Sequence, residues 1–268
     1  MGEFSPEWLA LREPADHHAR STRLTREIAN RVMDEAAVRV LDLACGTGSN
    51  LRYLTRYLPP IQHWRVVDRD SALLARLRKP MSWGIVASVH LHRRDLANLD
   101  GIAELFERTS LVTASALLDL VSHRWLDTLA DRCRAACTPA LFALSYDGRI
   151  LCTPRDPDDE LVRELVNRHQ RTDKGFGPAL GPDAADRAQQ SFAARDFVVD
   201  RERSDWMLGG DHSDLQRQLI EGWASAATEM APADAAAIDR WQRRRLQHVA
   251  AGRSTVVVGH EDLAAWIR

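Results

Sequence analysis

Val38 to Leu54, VRVLDLACGTGSNLRYL, constrains this chain more than any other stretch. Val38, Val40, Leu41 and Leu43 make a compact apolar strand signal, Ala44-Cys45-Gly46-Thr47-Gly48 a turn of small residues, and Leu51, Leu54 and Leu58 an apolar stripe at helical spacing. The pattern is strand, tight turn, helix. Gly46 and Gly48 have no Cβ, so the chain can turn sharply and leave bare backbone, close to the unpaired N–H groups that open a helix, for a ligand to lie against. Two absences narrow that ligand. There is no Gly-x-x-x-x-Gly-Lys for a triphosphate, and no third glycine for a dinucleotide pyrophosphate. Asp42 points the same way, because a carboxylate at the strand end repels phosphate and suits a cation.

The stretches that follow repeat the strand and helix alternation. Ile61 to Val67 reads as a second strand ending in Asp68, twenty residues beyond Gly48. A carboxylate there can accept hydrogen bonds from both hydroxyls of a ribose, while Asp70-Ser71 caps the helix through Leu73, Leu74 and Leu77. Residues 85 to 92 form a third strand, followed by Arg93-Arg94-Asp95-Leu96. Ser110 to Ala116 is the fourth, Ala140 to Tyr146 the fifth, Phe197 to Leu208 the sixth, and Thr255 to Gly259 closes the sheet. Ahead of the first strand, residues 5 to 35 read as one or two helices with Leu24, Ile28 and Val32 on one face, an arm placed to pack across the ligand edge. Arg12, Asp16, His17, His18 and Arg20 lie on the part of the arm able to reach the pocket.

Taken together, these elements resemble the class I S-adenosylmethionine-dependent methyltransferases, with Ala44 standing where many relatives have glycine and Ser110 where many have an acidic residue. The resemblance covers Val38 to about Tyr146, with a weaker extension to Ile267. It implies an α/β, Rossmann-like, seven-stranded and mostly parallel sheet with helices on both faces and an N-terminal helical arm; two amphipathic helices read between Gly209 and Gly252 depart from its simplest form as a helical insertion before the last strand. It also implies S-adenosylmethionine as cofactor and S-adenosylhomocysteine as product. By position, the implied cofactor contacts are Asp42, Ala44, Cys45, Gly46 and Gly48 around the turn, Asp68 with Arg69 beside it, and Ser115 at the end of the fourth strand. Asp95 falls where relatives bind the adenine amino group and Leu96 where they offer a backbone N–H to the ring. Arg20 is the arm residue matched to the methionyl carboxylate.

Length and composition suit one domain with additions: 268 residues, of which 45% are hydrophobic. The expected division is a helical cap over 5–35, a core over 36–208, a helical insertion over 209–252, and a last strand with a C-terminal helix over 253–268. A net charge of −2 provides no field that recruits nucleic acid or an acidic membrane. The one basic cluster, Arg240 with Arg243, Arg244 and Arg245, is spread around a helix near Asp239 and reads as a solvated face. Cys45, Cys133, Cys137 and Cys152 form no CxxC pair, His17-His18 point about 100° apart on a helix, and His90 and His92 lack a third partner, so no metal is expected. No run reaches the roughly 18 apolar residues of a membrane span, and no signal peptide is apparent. A cytoplasmic setting follows, and the insertion supplies a cover or an oligomer contact such as a homodimer.

Methyl transfer from a sulfonium is an in-line displacement at carbon, so the protein mainly aligns donor and acceptor. A base is needed only where the acceptor is a protonated hydroxyl or amine. Tyr146 and Asp147 end the fifth strand at the ligand edge and are the candidate catalytic pair, with Asp147 as base or, alternatively, as a turn aspartate before Gly148. His169, Asp173, Lys174 and Phe176 on the following loop are candidate acceptor contacts. Asp119 faces cofactor or substrate, or caps the next helix. The leading reading is methylation of O or N on a small molecule enclosed beneath the arm and the insertion. RNA or protein methylation, a nicotinamide dehydrogenase and a non-catalytic binding protein stay as alternatives.

Overall fold

The computed structural model describes residues 5–77 and 86–268, so the expected start of the third strand at Ile85 lies outside the described residues. The arm is two helices. The first, α1 (Pro6–Ala19), is capped by the Ser5 hydroxyl, which accepts the Trp8 N–H, and α2 (Thr22–Arg31) by Ser21, which accepts the Leu24 N–H at 3.0 Å. Extended backbone at Arg20 breaks the two apart, so they take different jobs. α2 buries Leu24, Ile28 and Val32 against one face of the sheet, whereas α1 lies at the sheet edge where the ligand is expected.

The core alternates as the hydrophobic pattern requires. β1 (Val38–Leu43) leads through the glycine turn to α3 (Ser49–Leu54) and β2 (Gln62–Asp68), then α4 (Ser71–Leu77), β3 (Val86–Arg93) and β4 (Leu111–Ser115). After α5 (His123–Ala135) come β5 (Ala140–Thr153), α6 (Asp159–Gln170), α7 (Ala184–Ala193), β6 (Phe197–Arg203) and β7 (Trp206–Leu208). The insertion is α8 (Ser213–Met230) and α9 (Ala235–Ala250), and β8 (Thr255–Ile267) ends the chain. Strand order is β3-β2-β1-β4-β5-β8-β6, with β7 also on β8. β1 to β5 are parallel, and β8 runs antiparallel to β5 on one side and to β6 and β7 on the other. β6 and β7 are thus two pieces of one expected strand, interrupted where the Ser204 N–H turns to the His260 carbonyl at 2.9 Å. The order reverses between β1 and β4, and ligands of open α/β sheets bind at the carboxyl ends beside such a switch.

Three expectations need correction. The C-terminal helix is instead the second half of β8: Leu263, Ala264 and Ala265 sit between β5 and β6, buried on both faces, so the strand shows no alternation and its alanines mimic a helix. β5 does not end at Tyr146 but continues to Thr153 through register shifts against β8, which puts Asp147 inside the strand. Finally, α8 and α9 do not cover the ligand edge. Leu215, Ile220, Trp223, Ile238 and Trp241 pack with Val162 and Leu165 of α6 on the extended ends of β5, β7 and β8. There Arg245, fully buried, pairs with Asp159 as internal framework, while Arg244, 38% exposed, pairs with Asp156 at 2.6 Å.

Candidate active site

Backbone geometry explains the turn after β1. Ala44, Gly46 and Gly48 all have positive φ, at 54°, 53° and 85°. For alanine that left-handed region is unfavourable by roughly 1–2 kcal/mol, which is why glycine suits the position of Ala44. A Cβ on Gly48 would lie 2.3 Å from Leu77 Cδ2, and one on Gly46 would lie 3.2 Å from Leu9 Cδ1. α1 therefore closes directly over the turn. Ala116, just past β4, is also left-handed at 52°, so both strands flanking the switch point end in a strained non-glycine residue.

Between α1, this turn and the ends of β2, β3 and β4 lies a cavity of about 380 Å³. Of the residues expected to hold the cofactor, Ala44, Cys45, Gly46, Asp68, Arg69, Asp95, Leu96 and Ser115 line it. Asp68 is buried and divided between two bonds, one oxygen accepting the Gly46 N–H at 2.9 Å and the other the Asp70 N–H at 2.9 Å. Asp70 caps α4 by accepting the Ala72 N–H at 2.7 Å. Asp95 is exposed and accepts the Ala97 N–H at 2.9 Å, while the Leu96 carbonyl takes the Trp125 Nε1–H at 2.6 Å, fixing the loop after β3.

Gly48, Asp42 and Arg20 stand behind the wall. Asp42 is fully buried at the end of β1, so it does not present its charge to a ligand as the sequence suggests. It accepts from Asn50 Nδ2 at 2.7 Å, and burial pushes its carboxyl up to about 7. Asn50 lines the cavity, and its Oδ1 in turn accepts from Arg20 Nη1 at 2.6 Å. Arg20 stacks 4.1 Å from the Tyr53 ring, with Nε and Nη2 buried and without a hydrogen-bond partner among the described residues. Asn50 is the contact that the sequence reading missed, and its place two residues after Gly48 was the available signal.

The far wall differs from expectation. Tyr146 and Asp147 do not line the cavity. The Tyr146 hydroxyl donates to Asn167 at 2.8 Å, and burial raises its pKa, which leaves a poor proton acceptor. Asp147 packs over Gly259 and bonds the Arg149 guanidinium, which also bridges to Asp205 at 2.6 Å. Its carboxylate is a strut, because a mid-strand aspartate facing an arginine on the same strand pairs with it. Arg12 and Asp16 of α1 do line the cavity, joined by a 2.9 Å ion pair that Trp206 Nε1–H supports at 3.1 Å. Of the loop candidates only Phe176 reaches the wall, held edge-on by Trp125 at 5.8 Å. His169, Asp173 and Lys174 bond within the loop and to Glu229.

Residues 40–140 match a family model described as a methyltransferase domain. They form a class I S-adenosylmethionine-dependent methyltransferase domain. In this domain the cradle has chemistry that suits the phosphate-free cosubstrate of such a family. The Gly46 amide, which a pyrophosphate would need, is already bonded to a carboxylate. No curated protein matches the sequence significantly. Among solved structures, a cyclopropane-fatty-acyl-phospholipid synthase-like protein from Lactobacillus casei ATCC 334 superposes with a TM-score of 0.57 at 14% identity, over 99% of this chain and 95% of the other. The cyclopropane synthase MmaA2 from Mycobacterium tuberculosis gives 0.51 at 10% identity over 98% and 94%. At these identities the likeness is one of fold. Among the described residues, no helix is long and apolar enough to cross a membrane.

Proposed function

We propose that this methyltransferase acts on a nucleophilic oxygen or nitrogen of a small molecule that shares the cavity with the cofactor. S-adenosylmethionine supplies an activated methyl group on a sulfonium sulfur. Asp68 holds the ribose hydroxyls with the lone pairs left by Gly46 and Asp70, beside Arg69. Asp95 and the Leu96 backbone hold the adenine, and Ala44, Cys45, Gly46 and Ser115 form the surface beneath the methionyl chain. Gly48 keeps the turn tight. Asn50, oriented by Asp42 and Arg20, carries the Arg20 charge toward the methionyl carboxylate. The whole chain acts as one unit in this reading, with α1 as the cap.

One observation supports the small-molecule reading: α1 lies over one side of the cavity, with Leu9 against Gly46 and the Arg12–Asp16 pair braced on Trp206. A polymer would have to displace that helix. In support, Arg244 and Arg245 of the basic cluster are spent on Asp156, Asp158 and Asp159. The test is transfer of labelled methyl from S-adenosylmethionine to a metabolite extract, total RNA and denatured protein. Label in small molecules alone is expected, and label confined to RNA or protein would overturn the reading.

A further inference from the structure

We propose that the methyl acceptor is an uncharged, largely apolar molecule that presents a carbonyl or ether oxygen to Arg12, and that Asp16 turns anionic acceptors away by neutralising that arginine. This rests on the methyltransferase reading of the cavity. The residues placed around the cofactor come from the turn after β1 and the ends of β2, β3 and β4. The rest of the lining is apolar, with Leu9 of α1, Leu117 and Leu120 after β4, and Phe176 of the loop after α6. Among the described residues of that part, Arg12 and Asp16 alone carry polar side chains.

Two adjoining stripes of α1 meet different neighbours. Leu9, Glu13 and His17, spaced four apart, face the glycine turn and α3: Leu9 lies against Gly46, Glu13 pairs with Arg52, and His17 Nε2 is 3.1 Å from the Ser49 carbonyl oxygen. Arg12 and Asp16, also four apart, face Trp206 of β7, which pairs with β8 beyond β5. The ion pair is therefore tied to the β5 side of the switch point, whereas the turn that cradles the cofactor follows β1.

The hydrogen bonds of the pair say what belongs beside it. One Asp16 oxygen accepts the Arg12 Nε–H at 2.9 Å, and the other accepts from Arg12 Nη2 at 3.2 Å and from Trp206 Nε1 at 3.1 Å. Arg12 Nη1 has no hydrogen-bond partner among the described residues, while the side chain lines the cavity and is 12% exposed. A guanidinium already paired in this way is a neutral unit with donors to spare, and it suits an oxygen lone pair on an uncharged molecule. An anion there would lie against Asp16 with only a shared cation, and an ammonium would meet Arg12; either would leave water for a wall of leucines. The bonded oxygen is not the nucleophile, because a lone pair given to Arg12 is withheld from the methyl carbon. The charge of the whole cavity agrees. Three arginines and four aspartates line it, an excess of one negative charge, and S-adenosylmethionine, with its sulfonium and ammonium against one carboxylate, balances that excess before an acceptor arrives.

The test divides a metabolite extract on ion exchangers near neutral pH into uncharged, anionic and cationic fractions, and gives each to the full-length protein with methyl-labelled S-adenosylmethionine. Label from the uncharged fraction is expected. Asp16→Asn keeps an oxygen for the Trp206 N–H and frees the Arg12 charge, so it should raise label from the anionic fraction about tenfold, the effect of one charge-assisted hydrogen bond. Arg12→Gln combined with Asp16→Asn removes both charges together, so no buried carboxylate is left alone. That double variant should raise the apparent KM for the uncharged fraction about tenfold, one such bond, and leave kcat and S-adenosylmethionine affinity within about threefold. If Asp16→Asn does not fold, the wild-type fractions and the double variant decide. Wild-type label mainly from a charged fraction, or an unchanged fraction preference in folded Asp16→Asn, would overturn the proposal. So would a double variant with unchanged KM, or one that loses S-adenosylmethionine affinity about tenfold or more, which would give Arg12 to the methionyl carboxylate. No label from any fraction, or no binding of S-adenosylmethionine, would instead overturn the reading beneath it.

Discussion

One carboxylate oxygen of Asp68 accepts the Gly46 amide at 2.9 Å, so the end of β2 holds the turn that follows β1. The residue proposed to bind ribose is thus also the residue that shapes the cradle. Asp68→Ala should therefore weaken S-adenosylmethionine by about 2–4 kcal/mol, two charge-assisted bonds with some overlap, and loosen the turn as well. Asp68→Asn keeps one acceptor oxygen and should fall in between. Calorimetry on both variants checks this, and unchanged affinity in Asp68→Ala would place the ribose elsewhere, with Asp70 the nearest candidate.

Gly48 has φ 85° and faces Leu77. Gly48→Ala should lower stability by about 1–2 kcal/mol from the left-handed backbone alone, with a further loss from shifting Leu77. Thermal melting with and without S-adenosylmethionine checks it, and the ligand-induced rise in Tm should shrink because the turn moves.

Stability should carry the signature of the buried Asp119. Below its ordinary value of 3.8 the carboxyl is protonated whether folded or not. Between 3.8 and about 6 the folded protein keeps a proton that the unfolded chain loses, and above 6 the folded state has lost that advantage in full. A gap of roughly two pH units corresponds to about 3 kcal/mol. Asp119→Asn should thus melt higher than wild type at pH 8 and equally at pH 3.5. His260 acts oppositely: burial lowers it to about 3, so the stability of its neutral form is present above 6.5 and drains away as pH falls toward 3.

Asp147→Asn breaks the bridge through Arg149 to Asp205. It should reduce stability by about 1–3 kcal/mol and leave methyl transfer per folded molecule unchanged. Melting curves beside S-adenosylhomocysteine release check this, and a folded variant without activity would return Asp147 to the site.

Much of this was legible where the determinants are local. Gly46, Gly48 and Asp68 follow from a strand, a turn and a helix within thirty residues or so, and the structure brings all but Gly48 to the cavity wall. Asp147 was misplaced because β5 continues only by pairing with β8, more than a hundred residues later. The last strand was half missed for the same reason, since Leu263-Ala264-Ala265 looks helical until β5 and β6 flank it. Arg20 was expected at the cavity in place of Arg12, although Ser21 already marked the start of a new helix. Asp119 carried two local meanings: Ser122 takes the capping role, and Asp119 is buried without lining the cavity.

The central claim is that this cavity takes a phosphate-free nucleoside sulfonium. Titration calorimetry of the full-length protein with S-adenosylmethionine, S-adenosylhomocysteine and NAD tests it most directly. The account predicts one site for the two sulfur nucleosides, each displacing the other, and no measurable heat from NAD. Preferential binding of NAD would contradict it, because the Gly46 amide would then have to leave Asp68 for a phosphate.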